Sequence, residues 1–511
     1  MSSPPPATVR NALNDAPDAG LTGWSALKWL ARGLLGLVLA GWSLLLIAWL
    51  TLHWGILPHI QQWRGPLEER ASRALGVPVR IGAITVRSSG WVPSFELTDV
   101  RLLDTAARPA LRLPHVFAAI SPRSVLALRF EQLLIDGAEL DIRRDASGRV
   151  FVAGLELGGP ANGGDANAVS DWFFAQSEFV IRGGTLRWTD EQRQAEPLAL
   201  GDVQLVVRNG LRQHEFRVDA TPPSEWGGRF SARGRFTQPL WARRGDWKRW
   251  SGSGYADLPR ADVHALRRYV ALPVEVSEGI GAVRGWFDLK NGEATAATVD
   301  VALRAVSMRL APDLEPLVIK ELGGRIVGGR DAAGGTLALQ GLRFETGDDL
   351  RWPQGDLTFA WRQRPGQPVT GGAFAAQRLD LGLMARIATR VPVGEALRRF
   401  LAEAGPQGQL TAVDTTWDGP LQAPLRYRAR GRLDDLTVAA QPARDPDAIG
   451  RPGVRGATLQ LDANERGGTA HVGIHAGAID LPGVFDEPRV ALDQLAADVQ
   501  WTIQPAPGGA A

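Results

Sequence analysis

The chain contains no cysteine. Disulfides are excluded, so the fold is held by packing in whatever compartment it occupies. The absence suits an oxidising compartment and the cytosol alike. Charge of either sign is missing as blocks. Lys and Arg total 57, Asp and Glu 55, and the net charge is +2. Arginine supplies almost all the positive charge, since lysine occurs only at Lys28, Lys248, Lys290 and Lys320. Acidic and basic residues alternate, which leaves no basic stripe for nucleic acid.

A catalytic constellation is missing too. The 7 histidines are His53, His59, His115, His214, His264, His471 and His475. His471 and His475 sit in a strand-like context, where a four-residue step separates side chains by ~13 Å, too far for one metal. The acidic neighbours Glu68-Glu69 and Asp434-Asp435 read as solvated pairs. Gly323-Gly324 and Gly328-Gly329 flank a short apolar strand and read as turn glycines, with no phosphate-cradle lysine nearby. No catalytic residue, metal ligand or cofactor is expected.

From Gly33 to Trp63 there is no Asp, Glu, Lys or Arg. About 20 apolar residues cross a bilayer as a helix, so residues 28–57 are expected to form a single transmembrane helix. A cleaved signal would be shorter and followed by a small-residue cleavage site. Lys28 and Arg32 flank the segment on its N-terminal side and place the N-terminus in the cytoplasm; Trp54 and Trp63 mark the far interface, as Trp24 and Trp29 mark the near one. Residues 1–27 form a disordered cytoplasmic tail. Residues 58–76 suggest a short amphipathic helix, with Leu67, Ala71, Ala74 and Leu75 on one face, lying on the membrane surface or capping the first strands.

From Val77 the period changes to two, and it flips parity near Gly82 in the manner of a bulge. Apolar members of alternating stretches include Val299, Val301, Leu303, Leu357, Phe359, Leu459 and Leu461, with Asp300, Thr358 and Gln460 between them. Turn dipeptides such as Asn209-Gly210 and Asn291-Gly292 separate the runs. The pattern predicts roughly 20–25 antiparallel strands with one apolar and one wet face. Helical spacing returns only at 259–272 and at 381–404, the latter broken at Val391-Pro392, and each stretch precedes a Trp-bearing strand in a weak repeat. Residues 158–170 and 441–456 read as loops, and 504–511 as a flexible tail. An apolar face on so much sheet must be hidden, either in sandwiches or by curling into a trough whose inner face is covered by lipid chains. Few helices and the recurrence of Trp188, Trp286, Trp361 and Trp417 near strand ends lean toward the trough.

Several segments together resemble the YhdP family of AsmA-like envelope proteins. They are LEERASRALGVPVRIGAI (67–84), SFELTDVRLLD (94–104), DGAELDIRRDASGRVFVAGL (136–155), GGTLRWTDE (183–191), FRVDATPPSEWGGRFSARGRF (216–236), GDWKRWSG (245–252) and YADLPRADVHALRRYV (255–270). The resemblance, to the N-terminal portion of a longer family chain or to a short variant, implies a mainly β protein. One N-terminal helix would hold it in the inner membrane, and residues 77–503 would form an elongated, curled antiparallel groove in the periplasm. It implies a non-enzymatic carrier of phospholipid toward the outer membrane that supports the permeability barrier. Direction does not follow from a groove, so a gradient or a protein partner in the periplasm or outer membrane is expected to supply it. Val299, Val301, Leu303, Leu357, Phe359, Leu459 and Leu461 are then the expected groove-facing residues. The other reading keeps the same strands as the packed core of a non-transporting periplasmic scaffold or outer-membrane assembly factor.

Overall fold

The computed structural model describes residues 21–51, 54, 61–62, 64–75, 78–88, 93–103, 109–119, 130–152, 155–157, 164–269, 274–364, 366–421, 424–442, 449–485 and 487–504. The chain forms two compact units, Met1–Gly65 and Pro66–Ala511. In the first, helix α1 runs over Leu21–Leu50, 30 residues. It starts earlier than expected and its apolar side chains from Leu34 to Leu50 are largely exposed. Lys28 and Arg32 lie on it, exposed, and Trp54 follows, also exposed. Trp63, both tails before residue 21 and after residue 504, and most of 52–60 lie outside the described residues. Among the described residues no helix is long and apolar enough to cross a membrane.

Helix α2 (Arg64–Leu75) has all but its first two residues in the second unit, and its Glu68 and Ser72 reach the first strand. Among the described residues 23 strands form one sheet. The opening strands are β1 (Val79–Ser88), β2 (Pro93–Leu103) and β3 (Pro109–Ala119), paired antiparallel in sequence order. On β1 the buried residues are Val79 and Ile81, then Ile84, so the parity flips at Gly82 as its spacing implies. Two polar residues on α2 finish this edge. Glu68 accepts the Ile81 N–H at 2.7 Å and the Ser72 hydroxyl accepts that of Val79 at 2.8 Å. An edge strand with unpaired amides invites pairing with other chains, and α2 removes that template.

One local departure breaks the antiparallel order. β4 (Gln132–Asp136) and β5 (Glu139–Arg144) both pair with β3 and run parallel to β8 (Glu178–Asp190). The crossover contains β6 (Val150–Val152), β7 (Leu155–Leu157) and α3 (Gly164–Ala175). α3 replaces the latter part, 164–170, of the loop expected over 158–170, whose first residues, 158–163, lie outside the described residues. Its Phe173 packs on Phe179 of the sheet and its Phe174 on Trp250, with ring centres 4.8 Å apart in each case. Tertiary burial thus makes a helix of a Gly-rich, weakly patterned segment.

From β8 onward every strand pairs antiparallel with the next. The strands are β9 (Ala195–Asn209), β10 (Gln213–Thr221), β11 (Phe230–Thr237), β12 (Ser251–Asp262), β13 (Glu275–Lys290), β14 (Glu293–Arg309), β15 (Leu317–Asp331) and β16 (Gly334–Thr346). They continue as β17 (Arg351–Arg362), β18 (Gly371–Asp380), β19 (Gln407–Asp418), β20 (Arg426–Val438), β21 (Gly453–Asn464), β22 (Gly467–Asp480) and β23 (Arg489–Thr502). This meander has two margins. The turns β9–β10, β11–β12, β13–β14 and so on lie along the first; the turns β10–β11, β12–β13, β14–β15 and so on lie along the second.

The second margin carries the helices. α4 (Val263–Arg267) follows β12, while α5 (Leu381–Ile387) and α6 (Glu395–Ala404) follow β18. The helix expected over 259–272 shrinks to α4 because β12 continues through Asp262, whose carboxylate then caps the Ala265 N–H at 3.0 Å. Asp380 does the same for Leu383 at 2.9 Å. Toward this margin the strands carry left-handed residues at Ala305, Gly341, Ala412, Asp435, Gly456 and Ala476. Bulged residues bend a strand and tighten its twist, so the sheet is creased along this side. Two packed clusters fill the crease. One joins Leu303, Val306, Leu317 and Ile319. The other joins Leu350, Trp352, Ala376, Leu379 and Ile387, with Leu383 and Met384 of α5 against it.

Candidate functional site

Residues paired directly across an antiparallel sheet point to the same face. Followed from strand to strand, the pairings spell out one face. Ile181, Leu205, Val218, Ala232, Ala256, Gly285, Val299, Ile326, Leu339, Leu357, Ala376 and Val413 form an unbroken row from β8 to β19. The next row of this face on the side of the first margin includes Phe216, Gly234, Gly254, Phe287, Ala297, Gly328, Leu337, Phe359 and Phe374. Neither row contains a charge.

All the groove candidates fall on this one face. Val299, Val301, Leu303, Leu357 and Phe359 share it by parity. Leu459 and Leu461 join it through Ala463, which pairs with Ala429, itself opposite Thr415 in the Phe374 row. Their burial differs. Leu303 is 7% exposed and belongs to the packed cluster in the crease. The others are half-buried, and in the same row Phe287 is 37% and Leu337 40% exposed. A second sheet packed face to face would bury such residues. Here the crease is closed by core and α3 lies on the face at Phe216, whose ring centre is 6.1 Å from that of Phe174, while residues farther along, such as Phe287 and Leu337, are left uncovered by the described residues.

Beyond the Phe359 row, nearest the first margin, the chemistry changes. The row reads Arg330, Gly335, Trp361, Gly372, Trp417 and Tyr427. Each glycine lets an indole lie flat beside it. A Cβ on Gly335 would stand 2.2 Å from the Trp361 ring, and one on Gly372 2.3 Å from the Trp417 ring. The pairing recurs at Gly468 and Trp501, at 2.5 Å. The recurrence of tryptophan in the sequence points to Trp361 and Trp417 but not to Arg330, Tyr427 or Trp501. The signal for the belt lies in the Gly-Gly pairs 334–335, 371–372 and 467–468, each of which opens a strand one hairpin before a Trp-bearing strand. Trp286 faces the other way, against Tyr255 at 5.2 Å.

The opposite face is a ladder of ion pairs. Arg325 holds Asp300 with two hydrogen bonds, at 2.6 and 2.9 Å, and Arg428 and Arg430 share Asp462. Each carboxylate is held below its ordinary range, chiefly by the arginine hydrogen bond. His471 pairs with Asp498 on this face, and no group of residues able to hold a metal ion exists among the described residues. His214 is different. It is fully buried, stacked on Trp250 with ring centres 4.0 Å apart, its Nδ1 2.7 Å from the Asn209 side-chain oxygen and its Nε2 3.1 Å from that of Gln238. Burial pushes its pKa below 6.5. It lies on the apolar face, one step beyond Phe216 toward the first margin, under Phe174 of α3.

No solved structure matches the chain. A curated protein of Escherichia coli (strain K12), the intermembrane phospholipid transporter YhdP, is 23% identical over 415 residues, covering 78% of this chain and 31% of that protein. The chain thus spans about a third of its relative's length, and the relative's name describes transport rather than catalysis. The YhdP protein family model matches residues 26–507, nearly the whole of both described units, and the chain belongs to the YhdP family.

Proposed function

We propose that this chain forms a lipid-carrying segment of the bacterial envelope, anchored in the inner membrane by α1 with Lys28 and Arg32 on the cytoplasmic side, and passing phospholipid through the periplasm toward the outer membrane. The observation that carries the reading is the uncovered apolar face, whose rows run without a charge from strand to strand while Phe287 and Leu337 remain partly in contact with solvent. An exposed apolar surface of this extent marks a binding surface. Acyl chains lying on it would reach the side chains of Val299, Val301, Leu357, Phe359, Leu459 and Leu461, with Leu303 in the floor beneath them. Each buried CH₂ contributes ~0.8 kcal/mol, so a lipid that stays on the face from strand to strand avoids the cost of entering water. The family match and the relative's name support the same reading. The charge-free run from Gly33 to Trp63 in the sequence supports the anchor.

Parity supplies the test. A photo-crosslinking residue, p-benzoylphenylalanine, is placed at Leu357 on the apolar face or at Thr358 on the ion-pair face of the full chain, and cells are irradiated before solubilisation. Phospholipid adducts are expected at position 357 and not at 358. Adducts at neither position, or equally at both, overturn the reading and return the face to a docking surface for an envelope protein.

A further inference from the structure

Arg330 stands out on the apolar face. The rows beside it are uncharged, and the row it shares is otherwise glycine, tryptophan and tyrosine. Most arginines near it are engaged: Arg325 holds Asp300, and Arg362 reaches Asp418 and the Trp417 carbonyl. Arg330 makes no ion pair among the described residues, and the adjacent Asp331 is occupied by the Ala333 and Gly334 amides at 2.8 and 3.0 Å. Arg330 borders a cleft of about 460 Å³ lined also by Asp331, Gly335, Trp361, Arg362 and Gly372.

From the crease to the first margin the face therefore passes from uncharged apolar rows to an edge row in which Trp361, Trp417 and Tyr427 stand level with Arg330, beside an open cleft whose other charged residues, Asp331 and Arg362, already have partners. An amphiphile has the same order along its length, with acyl chain and then polar headgroup. Trp and Tyr favour the boundary between apolar and wet, and a guanidinium presents paired donors suited to phosphate oxygens. We infer that the Arg330 cleft is a headgroup site, which takes the phosphate of a phospholipid whose chains lie on Leu337, Phe359 and the rows behind them. The inference rests on the lipid-carrying reading and adds a fixed station to it.

The experiment uses the full chain with p-benzoylphenylalanine at Leu337, beside the cleft, or at Leu459, far from it along the sheet. Each is combined with Arg330→Glu or Arg330→Lys. The expected result is a roughly tenfold loss of phospholipid adducts at 337 in Arg330→Glu, equivalent to ~1.4 kcal/mol, with most of the yield kept in Arg330→Lys and no change at 459. Unchanged adducts at 337 in an Arg330→Glu chain of normal melting temperature overturn the headgroup site and leave the carrier reading standing. Adducts at neither position in the unsubstituted chain overturn both. Calorimetry with inorganic phosphate separates the remaining source. Binding lost in Arg330→Glu while the adducts persist assigns the cleft to a soluble anion and overturns the lipid headgroup.

Discussion

At the scale of single residues, the face depends on what its glycines omit. Gly335 and Gly372 have no Cβ, so Trp361 and Trp417 lie across them. Adding a methyl group 2.2–2.3 Å from an indole forces ring or strand to move; overpacking of this kind costs about 1–3 kcal/mol. Gly335→Ala and Gly372→Ala are expected to lower the melting temperature, whereas Gly473→Ala, with open space around it, is expected to leave it unchanged; differential scanning fluorimetry decides. His214 gives a second prediction. Its folded pKa lies below the ordinary 6.5 because burial penalises the cation. Between those two values the unfolded chain holds a proton that the native protein lacks, so stability is complete above pH 6.5 and falls as pH drops below it. His214→Gln is expected to be less stable at pH 7.5 by about 1–3 kcal/mol, because Asn209 and Gln238 lose a fitted partner, and to show a flatter decline in melting temperature from pH 7 to 5.5. An unchanged slope would assign the pH dependence to other groups. The role of Gly335 and Gly372 had a sign in the sequence only in the Gly-Gly pairs that open their strands. That of His214 had none, since a lone His carries no mark of the ring that will lie against it.

At the scale of elements, alternation specified the strands well because each has one face on apolar neighbours and one on the ion-pair ladder. It did less well where tertiary contacts decide. The aromatic packing of α3 and the cap at Asp262 set boundaries that local spacing does not encode. The bulges belong to this scale. Ala305, Ala412 and Ala476 adopt φ near +50°, where a β-branched side chain is disfavoured by about 1–2 kcal/mol. Ala412→Val is expected to destabilise by that amount and Ala412→Gly to be neutral or slightly stabilising, measured by chemical denaturation. Equal effects of the two would mean that the crease at β19 does not need the left-handed residue. The change of parity near Gly82 was legible because the apolar residues on both sides of it switch alternation there, and burial follows them while the β1–β2 register is kept. The bulges farther along, at alanines and aspartates, leave no such compositional sign.

At the scale of the second unit, the candidate face was legible in membership but not in cover. Parity placed Val299, Val301, Leu357, Phe359, Leu459 and Leu461 together; only the pairing registers reveal that their rows join, and only burial separates Leu303 in the floor from Leu337 in the open. The topology has an energetic consequence. Past the β3–β8 crossover each strand pairs, among the described residues, only with its sequence neighbours, so stability is nearly a sum of local strand and nearest-neighbour terms, as in repeat proteins. The ends differ. β1 is sealed by Glu68 and Ser72 of α2, whereas β23 pairs only with β22 among the described residues and has mostly exposed side chains. Opening is therefore expected to start at β23 and to spread inward, and amide exchange is expected to be slowest around the packed clusters of β14–β18. Hydrogen exchange by mass spectrometry on the full chain reads this directly. Substituting Ser72→Ala with Glu68→Ala should raise exchange at Val79 and Ile81 without altering β14–β18, since the coupling between distant strands is weak. Uniform exchange along the whole sheet, or a change at β14–β18 in that variant, would show instead a single cooperative unit, in which a bound lipid at any one strand would stabilise all of them.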